Sequence, residues 1–231
     1  MVKNHIKRIA APKTWNILRK TTKFVTRQNP GPHSKKFSVS LNNLLKDMLK
    51  IAKTTKEVKY ILTKQEVLVN GKKRKDNKAQ AGFLDVISIP SIEKTYRMTI
   101  DKKGMLKAKE ITHEQAGELI LKVTGKSKIK KGKVQINTLD GFNIILPDTE
   151  AKKYKIGDTV IFSTKDKKIK HHLSLEKGAQ IVITQGKHAG KFGEIISIGD
   201  KVVKIKTDKE TFETSVEYPL IITKEKKAEL D

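Results

Sequence analysis

Positive charge is the feature of this sequence that most constrains what the chain can fold into. Its 231 residues include 50 lysines and arginines against 25 aspartates and glutamates, a formal charge of +25 at pH 7. Such an excess repels itself in a compact state and makes a polyanion the expected partner. Because 36% of the residues are hydrophobic, folded cores are still expected beneath a basic surface.

Several classes of protein are excluded or disfavoured by what the sequence lacks. Without cysteine there are no disulfides, thiol nucleophiles or cysteine-based zinc sites, which fits a reducing compartment. No apolar run approaches the roughly 18 residues of a membrane span, and lysines and arginines interrupt the first 24 residues. We therefore expect a soluble, intracellular protein with no signal peptide and no membrane partner.

The first 46 residues contain no acidic residue and hold three of the six prolines. Prolines prevent one long helix, so residues 1–40 are predicted to form an extended basic arm that orders on binding phosphates. A solvated or targeting tail is the alternative. Trp15 either stacks on a base or anchors the arm to the fold, and we favour the anchor. The residues of the arm predicted to bind RNA are Lys3, Lys7, Arg8, Lys13, Trp15, Arg19, Lys20, Lys23, Arg27, His33, Lys35 and Lys36.

Two amphipathic helices are predicted next. Apolar residues recur at three- and four-residue steps from Ser40 to Ala52, and Thr54 with Glu57 has the spacing of a capping box for a second, shorter helix. The apolar stripes are assigned to core packing and the polar faces to function, with an ordinary solvated surface as the alternative. The candidate RNA-binding residues on these helices are Lys46, Lys50, Lys53, Lys56 and Lys59.

A hairpin follows the helices. The strand pattern over 66–71 ends at Asn70-Gly71, a pair typical of tight two-residue turns, and a second strand is predicted over 84–89. The basic residues that follow the turn are candidates for phosphate contacts. They are Lys72, Lys73, Arg74 and Lys75.

Residues 92–173 are predicted to be short strands joined by turns, a spacing that favours a small barrel. Hairpins are expected around Lys102–Gly104 and Asp140-Gly141, and one more strand over 157–162.

Two further expectations concern the middle of the chain. Thr112 and Gln115 are spaced to cap a helix that runs through Leu121. The acid-free segment 123–133 is predicted to be either a flexible linker or a loop that contacts phosphates. Its candidate RNA-binding residues are Lys126, Lys128, Lys130 and Lys131.

Residues 174–231 contain a glycine-rich loop between two predicted strands, over 178–183 and 194–198. Glycines turn tightly and let a partner approach the backbone closely, although an ordinary glycine-rich turn is the alternative. The loop glycines are Gly186, Gly190 and Gly193, and the candidate RNA-binding residues beside them are Lys187, His188 and Lys191.

No pattern in the sequence predicts catalysis or a cofactor. The segment from Gly186 to Lys191 is one residue too short between its glycines for a P-loop, and Phe192 stands where that loop needs Ser or Thr. Gly125-Lys126-Ser127 lacks the first glycine. His171 and His172 are immediate neighbours, which are poorly placed to chelate one metal ion. We expect no catalytic residue, no cofactor and no metal site.

Several stretches resemble known families. Leu41 to Ile89 resembles the alpha-L RNA-binding domain of the ribosomal protein S4, heat-shock and pseudouridine synthase families. The stretch 178–198 resembles a KOW motif, the RNA- or protein-binding hairpin of some ribosomal proteins and NusG-type factors. His5 to Trp15 and Pro30 to His33 are similar to the amino-terminal signature of the archaeal and eukaryotic small-subunit ribosomal protein S4e family. Leu139 to Ile144 resembles the central domain of that family.

The resemblance implies an α+β, mainly β, protein of four parts. These are a basic N-terminal arm (1–40), a helical-hairpin-plus-sheet alpha-L domain (41–91), a central β-barrel-like domain (92–173) and a C-terminal KOW-type small β-barrel (174–231). It implies a non-enzymatic structural constituent of the cytoplasmic small ribosomal subunit, and the modest length resembles the archaeal members.

The implied partners are small-subunit rRNA and neighbouring ribosomal proteins, without a small-molecule substrate or self-association. Because only five of the 50 basic residues are arginines, which bind phosphate as a bidentate fork, recognition should rest on phosphates and shape. The alternative is a KOW-bearing transcription or RNA-processing factor.

Overall fold

A computed structural model describes residues 5–130, 132–207 and 210–230. Two compact units make up the chain, one formed by the described residues up to Thr99 with Met105–Gly117, the other by Ile100–Gly104 and the described residues from Glu118 onward. Strands hold 41% of the residues and helices 16%, so the predicted mainly β, α+β class is confirmed.

The first unit is built on antiparallel strands. β1 pairs with β2, β3 pairs with β6, and a five-stranded sheet has the order β5-β4-β7-β8-β9. The strands up to Ile111 are β1 (Ile6–Lys7), β2 (Phe24–Val25), β3 (Ser38–Ser40), β4 (Leu68–Val69), β5 (Lys72–Lys73), β6 (Gln80–Gly82), β7 (Val86–Ile89), β8 (Lys94–Ile100) and β9 (Leu106–Ile111).

The first predicted helix begins where expected but is shorter. Ser40 caps α1 (Leu41–Asn43) by accepting the N–H of Asn43, and a π-helical turn, Leu44–Met48, continues it. Lys50 has φ of 56°, in the left-handed region, so the chain leaves the helix before Ala52 and the prediction through Ala52 is wrong.

The second predicted helix is confirmed as α2 (Thr55–Lys64). The Thr54 hydroxyl accepts the N–H of Glu57 at 3.2 Å, and the Glu57 carboxylate accepts the N–H of Lys53 at 2.8 Å. These bonds satisfy N–H groups that would otherwise lack a partner at the helix start. Val58 and Leu62 are buried, which fixes the inner face of the helix.

The N-terminal segment is folded against the rest of the first unit, which corrects the prediction of an extended arm. Trp15 is 1% exposed and its Nε1 donates to the carbonyl of Lys35 at 3.1 Å. Thr14 accepts the N–H of Leu106 at 2.7 Å, which ties the segment to β9. The favoured reading of Trp15 as an anchor agrees with its burial.

The second unit contains two five-stranded antiparallel sheets, with the orders β12-β11-β10-β13-β14 and β18-β17-β16-β15-β19. The strands are β10 (Glu118–Ile129), β11 (Lys133–Thr138), β12 (Asn143–Pro147), β13 (Thr159–Ser163), β14 (Lys168–Leu173), β15 (Gln180–Ile183), β16 (Phe192–Ile198), β17 (Val202–Lys206), β18 (Thr211–Ser215) and β19 (Pro219–Ile221). The helices that follow α2 are α3 (His113–Ala116), α4 (Asp148–Ala151) and α5 (Lys224–Leu230).

Two predictions for the middle of the chain are wrong. The capping box of Thr112 and Gln115 is present, but α3 ends at Ala116 and does not run through Leu121. The predicted linker 123–133 lies mostly in β10. β10 is the central strand of its sheet and is buried over 119–123, so its apolar residues at 119–121 are consecutive and do not alternate with polar ones. Such a short apolar run is hard to distinguish from a helix by its pattern.

A buried lysine lies where the two sheets of the second unit meet. The ammonium of Lys122 donates to the carbonyls of Glu217 and Pro219, at 2.6 Å each. Only 3% of the surface of Lys122 is exposed. Burial lowers the pKa of Lys122 to about 8. Nearby, burial alone would raise the pKa of Glu118, but hydrogen bonds and charge from Lys226 and Lys170 outweigh it and lower this pKa to about 2.

Candidate nucleic-acid interface

The outward face of α2 carries exposed lysines. Val58 and Leu62 point inward, so residues at three- and four-residue steps on the opposite side face solvent. Lys56 and Lys59 lie on this face and are exposed, as is Lys53 just before the helix. From the preceding helical segment, Lys46 is half-buried and Lys50 is exposed.

The carboxylate of Glu57 is hydrogen-bonded to the start of α2. It accepts hydrogen bonds from the backbone N–H of Lys53 and, at 3.0 Å, from the hydroxyl of Thr54. The bond from Lys53 lowers the pKa of Glu57 most, and the bond from Thr54 lowers it further. The charge of Glu57 is thus held at the helix start, beside Lys53, whose own charge also lowers the pKa of Glu57.

The Asn70-Gly71 hairpin presents a second group of cations. Asn70 and Gly71 have φ of 51° and 74°, as a tight hairpin turn requires, and β4 and β5 pair on either side of it. The side chain of Asn70 is held by two hydrogen bonds. Its Nδ2 donates to Asp85 at 2.6 Å, and its Oδ1 accepts the N–H of Val86 at 2.8 Å. The turn is therefore held in place by the sheet.

The four basic residues of this hairpin are all exposed, and Lys73 has an acidic partner. Lys73 donates to Glu66 at 2.6 Å, and this bond lowers the pKa of Glu66. Lys72 and Lys73 lie in β5, so only Arg74 and Lys75 follow the hairpin in irregular chain.

In the N-terminal segment, three predicted RNA-binding residues are buried. Arg8 is 2% exposed and pairs with Asp47, Trp15 is packed in the core, and His33 lies 3.0 Å from Asp85. Buried side chains with partners inside the protein stabilise the fold and do not reach a phosphate, so these three predictions are corrected.

The other candidates of this segment remain accessible to different degrees. Arg19 is half-buried, and its guanidinium donates to the carbonyls of Ala11 and Pro12 at 2.8 and 2.9 Å. Lys3 lies outside the described residues. The exposed candidates are Lys7, Lys13, Lys20, Lys23, Arg27, Lys35 and Lys36.

The predicted linker candidates lie near the end of β10. Lys126 is half-buried and donates to the carbonyl of Ala151 at 2.6 Å, so its ammonium is held at the start of the turn after α4. Lys128 and Lys130 are exposed. Lys131 lies outside the described residues. Because β10 pairs with β11 here, these lysines project from a hairpin and not from a flexible linker.

The glycine-rich loop lies between β15 and β16, but Gly193 belongs to β16, where it pairs with Ile181, so its assignment to the loop is wrong. Lys187 is exposed. The ring of His188 stacks on Phe212 with centroids 4.0 Å apart, and the Lys191 ammonium lies 5.7 Å from the centre of the same ring. Gly190 has φ of 81°, and a Cβ there would collide with the carbonyl of Asp101, so this glycine serves packing within the protein.

Sequence reasoning missed two residues of the α2 face. Tyr60 is 61% exposed and Lys64 is also exposed, both on the same side as Lys56 and Lys59. The signal for Tyr60 was available, since it is an aromatic residue outside the apolar stripe of an amphipathic helix.

The described ranges contain no group of three or more His, Asp or Glu side chains arranged to hold a metal ion. Among the same residues, no helix is both long enough and apolar enough to cross a membrane.

Exposed lysines on separate elements, held by a β-rich scaffold, place the chain in the class of basic nucleic-acid-binding proteins. Comparison with known proteins identifies the family. The model of ribosomal family S4e matches residues 92–169, and that of the RS4NT (NUC023) domain matches residues 2–36.

Relatives cover nearly the whole chain. The small ribosomal subunit protein eS4 of Methanocella arvoryzae is 38% identical over 99% of this chain and 97% of its own. That of Archaeoglobus fulgidus is 41% identical over 85% of this chain and 81% of its own. The crystal structure of the 30S ribosomal protein S4e from Thermoplasma acidophilum, 30% identical, superimposes with a TM-score of 0.69 over 82% of this chain and 96% of that one. The chain belongs to the ribosomal protein S4e family.

Proposed function

We propose that this protein is a structural constituent of the small ribosomal subunit that binds and stabilises folded rRNA. Relatives that match nearly its whole length are named small ribosomal subunit protein eS4. In this role it stays within the subunit, in the cytoplasm, with rRNA and neighbouring ribosomal proteins as partners. The role needs no chemical turnover and no cofactor.

The observation that carries the RNA-binding mechanism is the distribution of exposed lysines. They project from α2, from the Asn70-Gly71 hairpin and from the end of β10, which are separate places along the chain. Lysine contacts phosphate as a flexible point charge, and such contacts position a protein without reading sequence. Of the five arginines, Arg8 and Arg97 are buried. Few arginines are therefore accessible to recognise a base through two hydrogen bonds.

The four-part organisation of the chain is part of the proposal. Two helical segments followed by the Asn70-Gly71 hairpin and β7 support an alpha-L domain over 41–91. The loop between β15 and β16 supports a KOW motif. The two five-stranded antiparallel sheets support small barrels over 118–173 and 174–231, whereas β8 and β9, within the predicted central part 92–173, pair into the sheet of the first unit. Residues 5–40 are folded within the first unit and present exposed cations on its surface.

Sucrose-gradient fractionation of cell extract tests the assignment. The protein should sediment with the small subunit at moderate salt and leave it only at high salt, because phosphate contacts weaken as counterions are added. Sedimentation with RNA polymerase, and absence from ribosomal fractions, would support the transcription-factor alternative instead.

Filter binding to small-subunit rRNA fragments tests the mechanism with matched variants. If about six to ten phosphates are contacted, affinity should fall by about 10³- to 10⁵-fold between about 50 and 200 mM salt. The double variant Arg74→Gln/Lys75→Gln should weaken binding. It should also reduce the slope of the logarithm of affinity against the logarithm of salt concentration by about two. Lys165→Gln/Lys168→Gln, which removes two exposed cations from the β13–β14 hairpin, is the control with equal charge loss. A flat salt response of the unmodified protein would refute the mechanism.

A further inference from the structure

Tyr60 is an exposed aromatic residue in the middle of a basic helix face. It lies four residues after Lys56 and four before Lys64, so the three side chains line one side of α2. Lys59, the residue before Tyr60, is exposed at the flank of this side. Its phenol and ring make no hydrogen bond or ring contact with any described residue, and 61% of the residue is accessible.

Neither packing nor helix formation explains an aromatic residue at this position. The core face of α2 is complete with Val58 and Leu62, and tyrosine is a weaker helix former than leucine, lysine or glutamate. The residues one turn away from Tyr60 on α2 are all polar: Lys56, Glu57, Thr63 and Lys64. An exposed ring among polar side chains is not a protein-docking patch, because such patches have a contiguous apolar centre. The arrangement of a ring with flanking cations fits a ligand that has both an accessible aromatic face and phosphates.

An unpaired nucleotide of RNA has both features. Unstacked bases bind the faces of aromatic side chains, and this stacking tolerates any base, while the flanking phosphates attract lysines. In a helix the side chains one turn before and one turn after a residue lie about 5–6 Å from it, within reach of the backbone on both sides of a stacked base. A base-paired helix offers the phosphates but not the aromatic face.

We infer that Tyr60 stacks on an unpaired base of the rRNA while Lys56, Lys59 and Lys64 bind the phosphates next to it. This inference rests on the proposed rRNA binding and adds a single-stranded contact to it. It assigns α2 a preference for a loop or bulge, whereas the lysines alone would bind any phosphate backbone.

Binding of the full chain to rRNA fragments separates stacking from charge. Tyr60→Leu keeps an apolar side chain and places a better helix former in α2, but it removes the π face. Affinity for a loop-containing fragment should therefore fall by about tenfold, with an unchanged slope of the logarithm of affinity against the logarithm of salt concentration. Tyr60→Phe keeps the ring and should bind like the unmodified protein. Lys59→Gln should instead flatten the salt slope by about one.

Two further measurements make the outcome decisive. On a fully paired fragment, Tyr60→Leu and the unmodified protein should bind equally, and the variant should melt no lower than the unmodified protein, because leucine is the better helix former and Tyr60 is mostly exposed. Equal binding of both proteins to the loop-containing fragment, with a steep salt response retained, would overturn the stacking contact and leave rRNA binding intact. An equal loss in Tyr60→Phe and Tyr60→Leu would also overturn it, because the hydroxyl and not the ring would then carry the contact. Absence of salt-dependent binding by the unmodified protein would instead refute the proposed function itself.

Discussion

Arg8 is bound by Asp47, the first acidic residue of the chain. Both terminal nitrogens of the guanidinium lie 3.2–3.3 Å from the carboxylate oxygens. The same guanidinium donates to the hydroxyl of Thr22 at 2.9 Å and to the carbonyl of Leu18 at 3.0 Å. Arg8 belongs to an acid-free segment, but its acidic partner lies 39 residues further along the chain. The pair therefore joins two distant parts of the chain and stabilises the fold.

Asp47→Asn should destabilise the first unit by about 2–4 kcal/mol. The substitution leaves the buried Arg8 charge without its countercharge, and such loss is costly because the side chain is only 2% exposed. Urea unfolding followed by the fluorescence of Trp15 measures the change. Glu66→Gln breaks the exposed pair with Lys73 and should cause no measurable change. Equal stability of the two variants would show that the Arg8–Asp47 pair does not stabilise the fold.

Trp15 should report that the N-terminal segment is already folded in the free protein. As the only tryptophan, buried to 1% exposure, it should give blue-shifted emission and resist quenching by acrylamide in the absence of RNA. Adding rRNA should change neither property. A red-shifted, easily quenched signal that becomes protected only with RNA would mean that the segment orders on binding, as the sequence alone predicts.

Elements defined by neighbouring residues could be predicted from the sequence, whereas those defined by distant contacts could not. The Asn70-Gly71 turn and the Thr54 cap depend on residues within a few positions, and both are confirmed. Burial of Arg8 and His33 depends on Asp47 and Asp85, which no local pattern connects to them. Likewise, 123–129 is acid-free and resembles a linker, and only its pairing with β11 makes it a strand.

Gly190→Ala should destabilise the second unit more than Gly132→Ala. Both glycines have positive φ, 81° and 66°, so each substitution incurs a left-handed penalty of about 1 kcal/mol. A Cβ at Gly190 would also collide with the backbone carbonyl of Asp101, whereas nothing lies within 4 Å of one at Gly132. Thermal unfolding of the two variants gives the comparison. If both melt at the same temperature, close packing does not explain Gly190.

The buried Lys122 should make the stability of the second unit rise with pH. Burial lowers its pKa to about 8 from an ordinary 10.5, so between these values the unfolded chain binds more protons than the folded one. The free energy of unfolding should therefore increase by about 2 kcal/mol between about pH 7.5 and 9.5, relative to Lys122→Met, which has no proton to lose. Urea unfolding followed by circular dichroism at both pH values measures this difference, because the remaining lysines titrate alike in both proteins. A difference that stays constant or falls with pH would mean that the two carbonyls hold Lys122 in its charged form.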